Sequence, residues 1–360
     1  MDGALSHCDP SIGYFMKQQY NMCTPLGRLT DELIVEILQY CWHHQFDYYR
    51  PYIPRLTKIP AAYSLFVQIL ALDDNLHTPN RCKKWRDVAI HAPILWSTIY
   101  FPAPAELFEL FRDRSGTAPL DITISTDSSN MPDNEEEEAE VLDSMGDNIV
   151  SAITRVRSLK ISWEDYRPAD WTLNQFLQYE FEEAEFTSFK TLRMECMIYE
   201  LDDEPRATLV TPVLEELHYG GDIQWMPFVS ATNLVKLVLD GTMYHPKTIL
   251  DTLSLFPVVE DCTIRDCSKP SFKLKKPRHR KVSLKRLRRF EFDAYPVLDF
   301  KYLLDHIDHP DTATIKLEVH RNWSKPLEIE EFLGPRMSSI TEFTMKCKTE
   351  IRYSLSSSPG

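Results

Sequence analysis

TPVLEELHYGGDIQWMPFVSATNLVKLVLD, residues 211–240, contains one short pattern twice. Leu214, Leu217 and Tyr219 are spaced apolar-x-x-apolar-x-apolar, and Leu234, Leu237 and Leu239 repeat that spacing. The last two apolar residues of each copy flank a residue that points the other way, which is the period of a strand. The template recurs at Val156/Leu159/Ile161, Phe189/Leu192/Met194, Val259/Cys262/Ile264 and Leu287/Phe290/Phe292. Weaker copies stand at Thr312/Ile315/Leu317 and Ile340/Phe343/Met345. Successive centres lie between 20 residues (Leu217 to Leu237) and 33 residues (Leu159 to Leu192) apart.

That spacing is close to the ~20–29 residue period of leucine-rich repeats. Each such unit gives one strand to a parallel sheet and returns through a helix or an irregular segment. KTILDTLSLFP (247–257) and DFKYLLDHIDHP (299–310) predict two of the returns as helices closed by proline. One unit cannot bury its apolar side alone, so neighbours must stack. Each large aliphatic side chain buried adds roughly 1.5–3 kcal/mol. The expected fold class is α+β overall: a small N-terminal helical module, then an irregular α/β leucine-rich-repeat-like solenoid with a parallel sheet. An ordinary α/β domain with several short strands is the competing reading.

Strand alternation also marks which side chains point away from the core. One per copy, these are Lys160, Arg193, His218, Val238, Thr263, Glu291, Lys316 and Thr344. They are mixed in charge and size, which suits a protein partner better than a phosphate backbone. They form the candidate target-binding row, set against the plainer reading of a solvated sheet face.

Ahead of the array, PLGRLTDELIVEILQYC (25–41) predicts an amphipathic helix with Leu33, Ile34, Ile37, Leu38 and Cys41 on one stripe. Thr30 is placed to cap it, and Asp31 and Glu32 suit the positive end of its dipole. In the proline-containing stretch that follows, AAYSLFVQILAL (61–72) is a candidate buried helix. Asn80 opens a further helix that Pro93 ends near His91. Another is expected at 103–114, and LDITIS (120–125) alternates as a strand.

The formal net charge of -14 argues against general affinity for nucleic acid or an anionic membrane. No apolar run approaches the ~20 residues of a membrane helix. The N-terminus lacks the basic start and apolar core of a secretory signal. None of the eight cysteines forms a C-x-x-C pair, so reduced thiols in an intracellular protein are expected. Residues 127–147, with Glu135 to Glu138, read as a solvated acidic loop, and 269–286 as an exposed basic loop. The basic segment 272–289 admits nuclear import, nucleic-acid contact or pairing with the acidic loop as alternatives. His306 and His309 lack a third ligand, so no metal is assigned. Cys262 and Cys267 read as packing residues, and no nucleophile motif or phosphate loop is present.

Within NRCKKWRDVAIHAPILWSTI (80–99), the order is Cys82-Lys83-Lys84-Trp85-Arg86-Asp87-Val88-Ala89, then Pro93, Leu95-Trp96-Ser97 and Ile99. This resembles the closing half of the F-box of many mushroom-forming fungal proteins, C-R-R-W-R-D-I-A-x-x-x-P-x-L-W-S-x-I. Leu29-Thr30-Asp31-Glu32-Leu33-Ile34-Val35-Glu36-Ile37-Leu38 is similar to the opening half, L-P-x-E-L-L-x-E-I-F, with Thr30 where the family has proline. SGTAPLDITIS (115–125) resembles the start of the array in such proteins. The connection from Leu38 to Cys82 is longer than the family leads one to expect.

The resemblance implies a substrate receptor of a cullin-RING ubiquitin ligase. Its helical module would dock on a Skp-type adaptor, and through it a cullin, while the array holds a protein target. It implies Leu29, Leu33, Ile37, Cys82, Trp85, Leu95 and Trp96 in or just behind the adaptor interface, set against the plainer reading of intramolecular core, above all for Trp85 and Trp96. The lysines and arginines between the two tryptophans are expected to face water. No catalytic residue, cofactor, nucleic acid or membrane partner is expected, and the compartment is cytoplasm, nucleus or both. The rivals are a repeat scaffold that does not bind the adaptor and an unrecognised hydrolase. The organisation expected is a tail (1–24), the module with an insertion near 42–78 (25–101), the array (102–350) and a second tail (351–360).

Overall fold

The structure is a computed structural model that describes residues 28–49, 83–126, 131–132, 134–164, 172–182, 184–197, 206–223, 226–241, 246–267, 281–294, 297–320, 342–346 and 350–353. The first expected tail, the helix at 61–72 and Cys82 lie outside these residues, whereas the second tail (351–360) is corrected in its described part, since 351–353 belong to a strand, Glu350–Tyr353. The chain divides into two compact units, Met1–Leu120 and Asp121–Gly360.

In the first unit, α1 (Asp31–Tyr49) is followed by α2 (Lys83–His91), a 3₁₀ turn (Pro93–Trp96), β1 (Thr98–Phe101) and α3 (Ala105–Arg114). The Thr30 carbonyl accepts from Ile34 N at 3.0 Å, and its hydroxyl lies 3.4 Å from Leu33 N. α1 thus starts where the cap predicts, but it runs through Tyr49, past the expected end at 41. The division at Leu120 falls later than the expected 101/102. The reason is that Phe111 of α3 packs its ring edge-on to Trp96 at 5.1 Å, while Phe108 packs on Phe101 at 5.6 Å.

The second unit is mixed α/β with a large, mostly parallel sheet. Its strands are β2 (Leu120–Ser125), β3 (Val156–Glu164), β4 (Thr191–Met197), β5 (Thr208–Val210), β6 (Glu216–Gly220), β7 (Phe228–Ser230) and β8 (Lys236–Asp240). They continue with β9 (Asp261–Cys267), β10 (Val282–Ser283), β11 (Arg289–Ala294), β12 (Ile307–Asp308), β13 (Thr314–His320), β14 (Glu342–Lys346) and β15 (Glu350–Tyr353). The main sheet here has the order β2-β3-β4-β6-β8-β9-β11-β13-β14-β15. All registered pairs from β3 to β14 are parallel, and β15 runs antiparallel to β14.

The template residues stand in register. Leu159, Leu192, Leu217, Leu237, Cys262, Phe290 and Ile315 follow one another strand to strand, and all are buried. Ile161, Met194, Tyr219, Leu239, Ile264 and Phe292 form the next buried row. One backbone contact recurs with them. The Lys190 carbonyl accepts from Glu215 N and Glu216 N, that of Glu215 from Val235 N and Lys236 N, that of Val235 from Glu260 N and Asp261 N, and that of Glu260 from Arg288 N and Arg289 N. Short strands precede the long ones at a constant offset: Val210 stands as far ahead of Glu216 as Ser230 does of Lys236, Ser283 of Arg289 and Asp308 of Thr314. β5 pairs with β7, and β10 with β12, both in parallel.

The eighth copy is corrected. In register, Phe343 stands opposite Leu317 and Met345 opposite Val319, so Thr344 falls opposite Glu318 and not in line with Lys316. The alternation repeats every two residues, so a two-residue slip preserves the pattern and the template cannot detect it. In the seventh copy Thr312 is exposed and Ala313 takes the buried place after the turn.

The acidic loop is also corrected. Glu135–Ser151 is a helix, α4. Asn134 caps it by accepting from Glu136 N at 3.2 Å, and Glu135 to Glu138 occupy its first turn, where the dipole favours them. Leu142, Met145 and Ile149 are its buried stripe. α5 (Leu173–Phe181) starts with a capping box between Thr172 and Gln175. The expected returns are α6 (Pro246–Ser254) and α7 (Val297–His306). The described part of the basic segment is no loop throughout: Val282 and Leu284 are buried there, because β10 pairs with β12.

Candidate functional site

Two faces gather the residues marked by the sequence, one in each unit. On α1, Ile34 (0% exposed) and Leu38 (7%) turn inward, while Leu33 (45%), Ile37 (36%) and Tyr40 (66%) remain open to solvent. The exposed three have helical spacing, so α1 carries two apolar stripes and buries one. The 3₁₀ turn that packs on α1 exposes Ile94 and buries Leu95 and Trp96. Tyr40 and Ile94 were not marked by the sequence. The signal for Tyr40 was its place one turn beyond Ile37.

The support behind this face comes from the expected adaptor residues that are not exposed. Trp96 is fully buried, and its Nε1 donates to the Ala89 carbonyl at 2.8 Å. The Arg114 guanidinium stacks 4.4 Å from the Trp96 ring. Burial, and then the charge of Arg86, lower the pKa of Arg114. Trp85 and Leu29 are half-buried. Lys84 does not simply face water. Its Nζ donates to the Leu29 carbonyl at 2.5 Å and lies 3.5 Å from Asp31, tying α2 to the start of α1.

The second face is the outward side of the large sheet. Lys160, Arg193, His218, Val238, Thr263, Glu291 and Lys316 stand in one continuous register row, as alternation predicts. Arg193 donates to Glu195 at 2.5 and 2.8 Å. Burial opposes ionisation of Glu195, but Arg193, with Lys160 and His218, outweighs it and holds the carboxyl below its ordinary value. Burial and Arg193 lower His218 against the pull of Asp240 and Glu195. Glu291 is likewise held low despite burial, by Arg289 and Lys316.

Burial pushes the Cys262 thiol up to about 12, so it is not a thiolate near neutrality. Cys196 is buried as well. His306 and His309 each place Nδ1 against a backbone carbonyl, of Tyr302 at 2.8 Å and of Pro310 at 3.0 Å. Among the described residues, no group of three His, Cys, Asp or Glu side chains is placed to hold a metal ion, and no helix is long and apolar enough to cross a membrane.

The fold and the two faces define a mixed α/β protein with an exposed helical stripe and a polar sheet face. No protein-family model matches the chain, and no curated protein or solved structure matches it either.

Proposed function

We propose that this protein is the substrate-recognition subunit of an SCF-type cullin-RING ubiquitin ligase. The first unit is its F-box, which docks on a Skp-type adaptor. The parallel strands of the second unit form a leucine-rich-repeat-like solenoid whose outward row binds a protein target. The chain acts as a receptor in the cytosol or nucleus, and the transferase chemistry belongs to other subunits.

The observation that carries this reading is the second apolar stripe of α1. Leu33, Ile37 and Tyr40 stay exposed although Ile34 and Leu38 of the same helix are buried. An exposed stripe at this spacing suits a partner helix or groove. The F-box-like spellings at 29–38 and 82–99 support it.

Capture of the purified chain on immobilised Skp adaptor tests the reading. The expected result is binding by the wild type and loss of binding in L33D/I37D, with the helical signal unchanged. Both substitutions sit on the exposed stripe, so folding should survive them. A wild type that does not bind, or a variant that binds as well, overturns the proposal.

A further inference from the structure

Between β3 and β13 the outward face of the large sheet places like charges side by side at two points. Lys160 of β3 stands directly opposite Arg193 of β4, and His218 of β6 comes next in the row. Farther along the sheet Asp293 of β11 stands directly opposite Glu318 of β13, with Glu291 two residues earlier on β11. Like charges directly opposite one another destabilise a strand pair. Here a basic pair and an acidic pair sit on one face, with β6, β8 and β9 between them.

Neighbouring charges soften both ends. Glu195 binds Arg193, and Glu291 lies 2.5 Å from Arg289 Nη2 and 3.6 Å from Lys316 Nζ. The middle mixes both signs with uncharged residues: Gly220, Val238 and Thr263 carry no charge, Lys236 lies 3.1 Å from Glu216 and opposite Asp261, and Asp240 lies between His218 at 4.0 Å and Arg265 at 3.8 Å.

The acidic end has two further features. Arg265, Asp293, Lys316 and Glu318 help line an open hollow of about 120 Å³, enough for the head of one lysine or arginine. The register between β9 and β11 shifts between Phe292 and Ala294, around Asp293. Such irregularities re-aim side chains and concentrate at functional places.

We propose that this face takes an extended protein segment of bipolar charge, laid across the strands. Its acidic residues lie over Lys160 and Arg193, its basic residues over Asp293 and Glu318, and uncharged residues between. This deepens the target-binding reading above and rests on it. Four strand spacings of ~4.8 Å separate β4 from β11, about 19 Å in all. Extended chain covers that distance in about six residues at ~3.3 Å each. A uniformly acidic or basic tail satisfies one end and is repelled by the other. A nucleic acid fails for the same reason.

Fluorescence anisotropy with the full chain and labelled synthetic peptides tests this. The probe carries two aspartates, five alanines and serines, and two lysines, in either order. The controls are an isomer with alternating charges, an all-aspartate peptide and an all-lysine peptide of the same length. The spaced peptide is expected to bind about tenfold tighter than its isomer, and more weakly as salt rises. K160E/R193E should abolish that preference and favour the all-lysine peptide. D293K/E318K should favour the all-aspartate one. Circular dichroism confirms folding of each variant. Equal binding of the isomers, no binding by any peptide, or indifference to reversal at either end overturns the inference. Adaptor capture is read on the same preparations. Lost peptide preference with capture intact sinks the bipolar segment alone, whereas failed capture with the preference intact sinks the ligase reading alone.

Discussion

The carboxylate of Glu180 fills the space that a side chain at Gly146 would occupy. A Cβ at Gly146 would come within 1.8 Å of Glu180 Oε2. α5 therefore lays this carboxylate on α4 at the one place where α4 has no side chain. Asp143 stands three residues before that place and Asp147 directly after it.

Burial, then the charges of Asp143 and Asp147, raise the Glu180 carboxyl to about 7 from an ordinary value of 4.5. A raised carboxyl means that the folded chain holds the proton more tightly than the unfolded chain. Its stabilising effect is complete below about pH 4.5 and is lost as pH rises through 7. The side chain is only partly buried, so the loss should be about 1–2 kcal/mol, well under what the full shift represents. Urea midpoints at pH 5 and pH 8 measure it. E180Q should flatten the difference, and an unchanged pH slope in that variant would refute the assignment.

Trp96 should be the most sensitive position of the first unit. W96A removes a fully buried ring and should cost roughly 3–5 kcal/mol. W96F keeps part of the packing against Phe111 but leaves the Ala89 carbonyl without its donor, a loss of about 1–3 kcal/mol. Denaturant melts read both, and hydrogen exchange should place the loss in α2 and α3. Equal stability of W96F and wild type would remove the indole bond from the account.

Cys262 lies in the buried row between Leu237 and Phe290. C262V should stay within about 1.5 kcal/mol of wild type, because volume and polarity are nearly kept. C262S buries a hydroxyl and should cost roughly 1–3 kcal/mol. A thiol reagent should modify this residue only after denaturation. Fast labelling of the native chain at Cys262 would contradict its burial.

The ladder was legible because Leu192, Leu217 and Leu237 keep one spelling across strands that later stand side by side. Its last step was not, since Phe343 and Met345 fit the template equally well two residues out of line. The helix α4 was hidden by Glu135 to Glu138. The charge run drew the reading toward solvent, although Asn134 before it and Leu142, Met145 and Ile149 after it spell a capped amphipathic helix. On α1 the period identified the apolar residues but not which of them would be covered. Leu33 and Ile34 are neighbours of like hydrophobicity, and only packing separates the open one from the closed one. Which sheet residues face outward followed from alternation. Their grouping by sign needed the register.

The doubly occupied carbonyls of Lys190, Glu215, Val235 and Glu260 set where this gene can change in length. Each fastens the lead-in to one strand onto the strand before it. A codon gained between Leu214 and Leu217 would rotate the rest of that rung by half a turn and drive its oily residues into water. A codon gained among the returning stretches would be absorbed. Insertions and deletions should therefore gather in the returns, whose lengths already differ from rung to rung, and spare the few positions around each fastening.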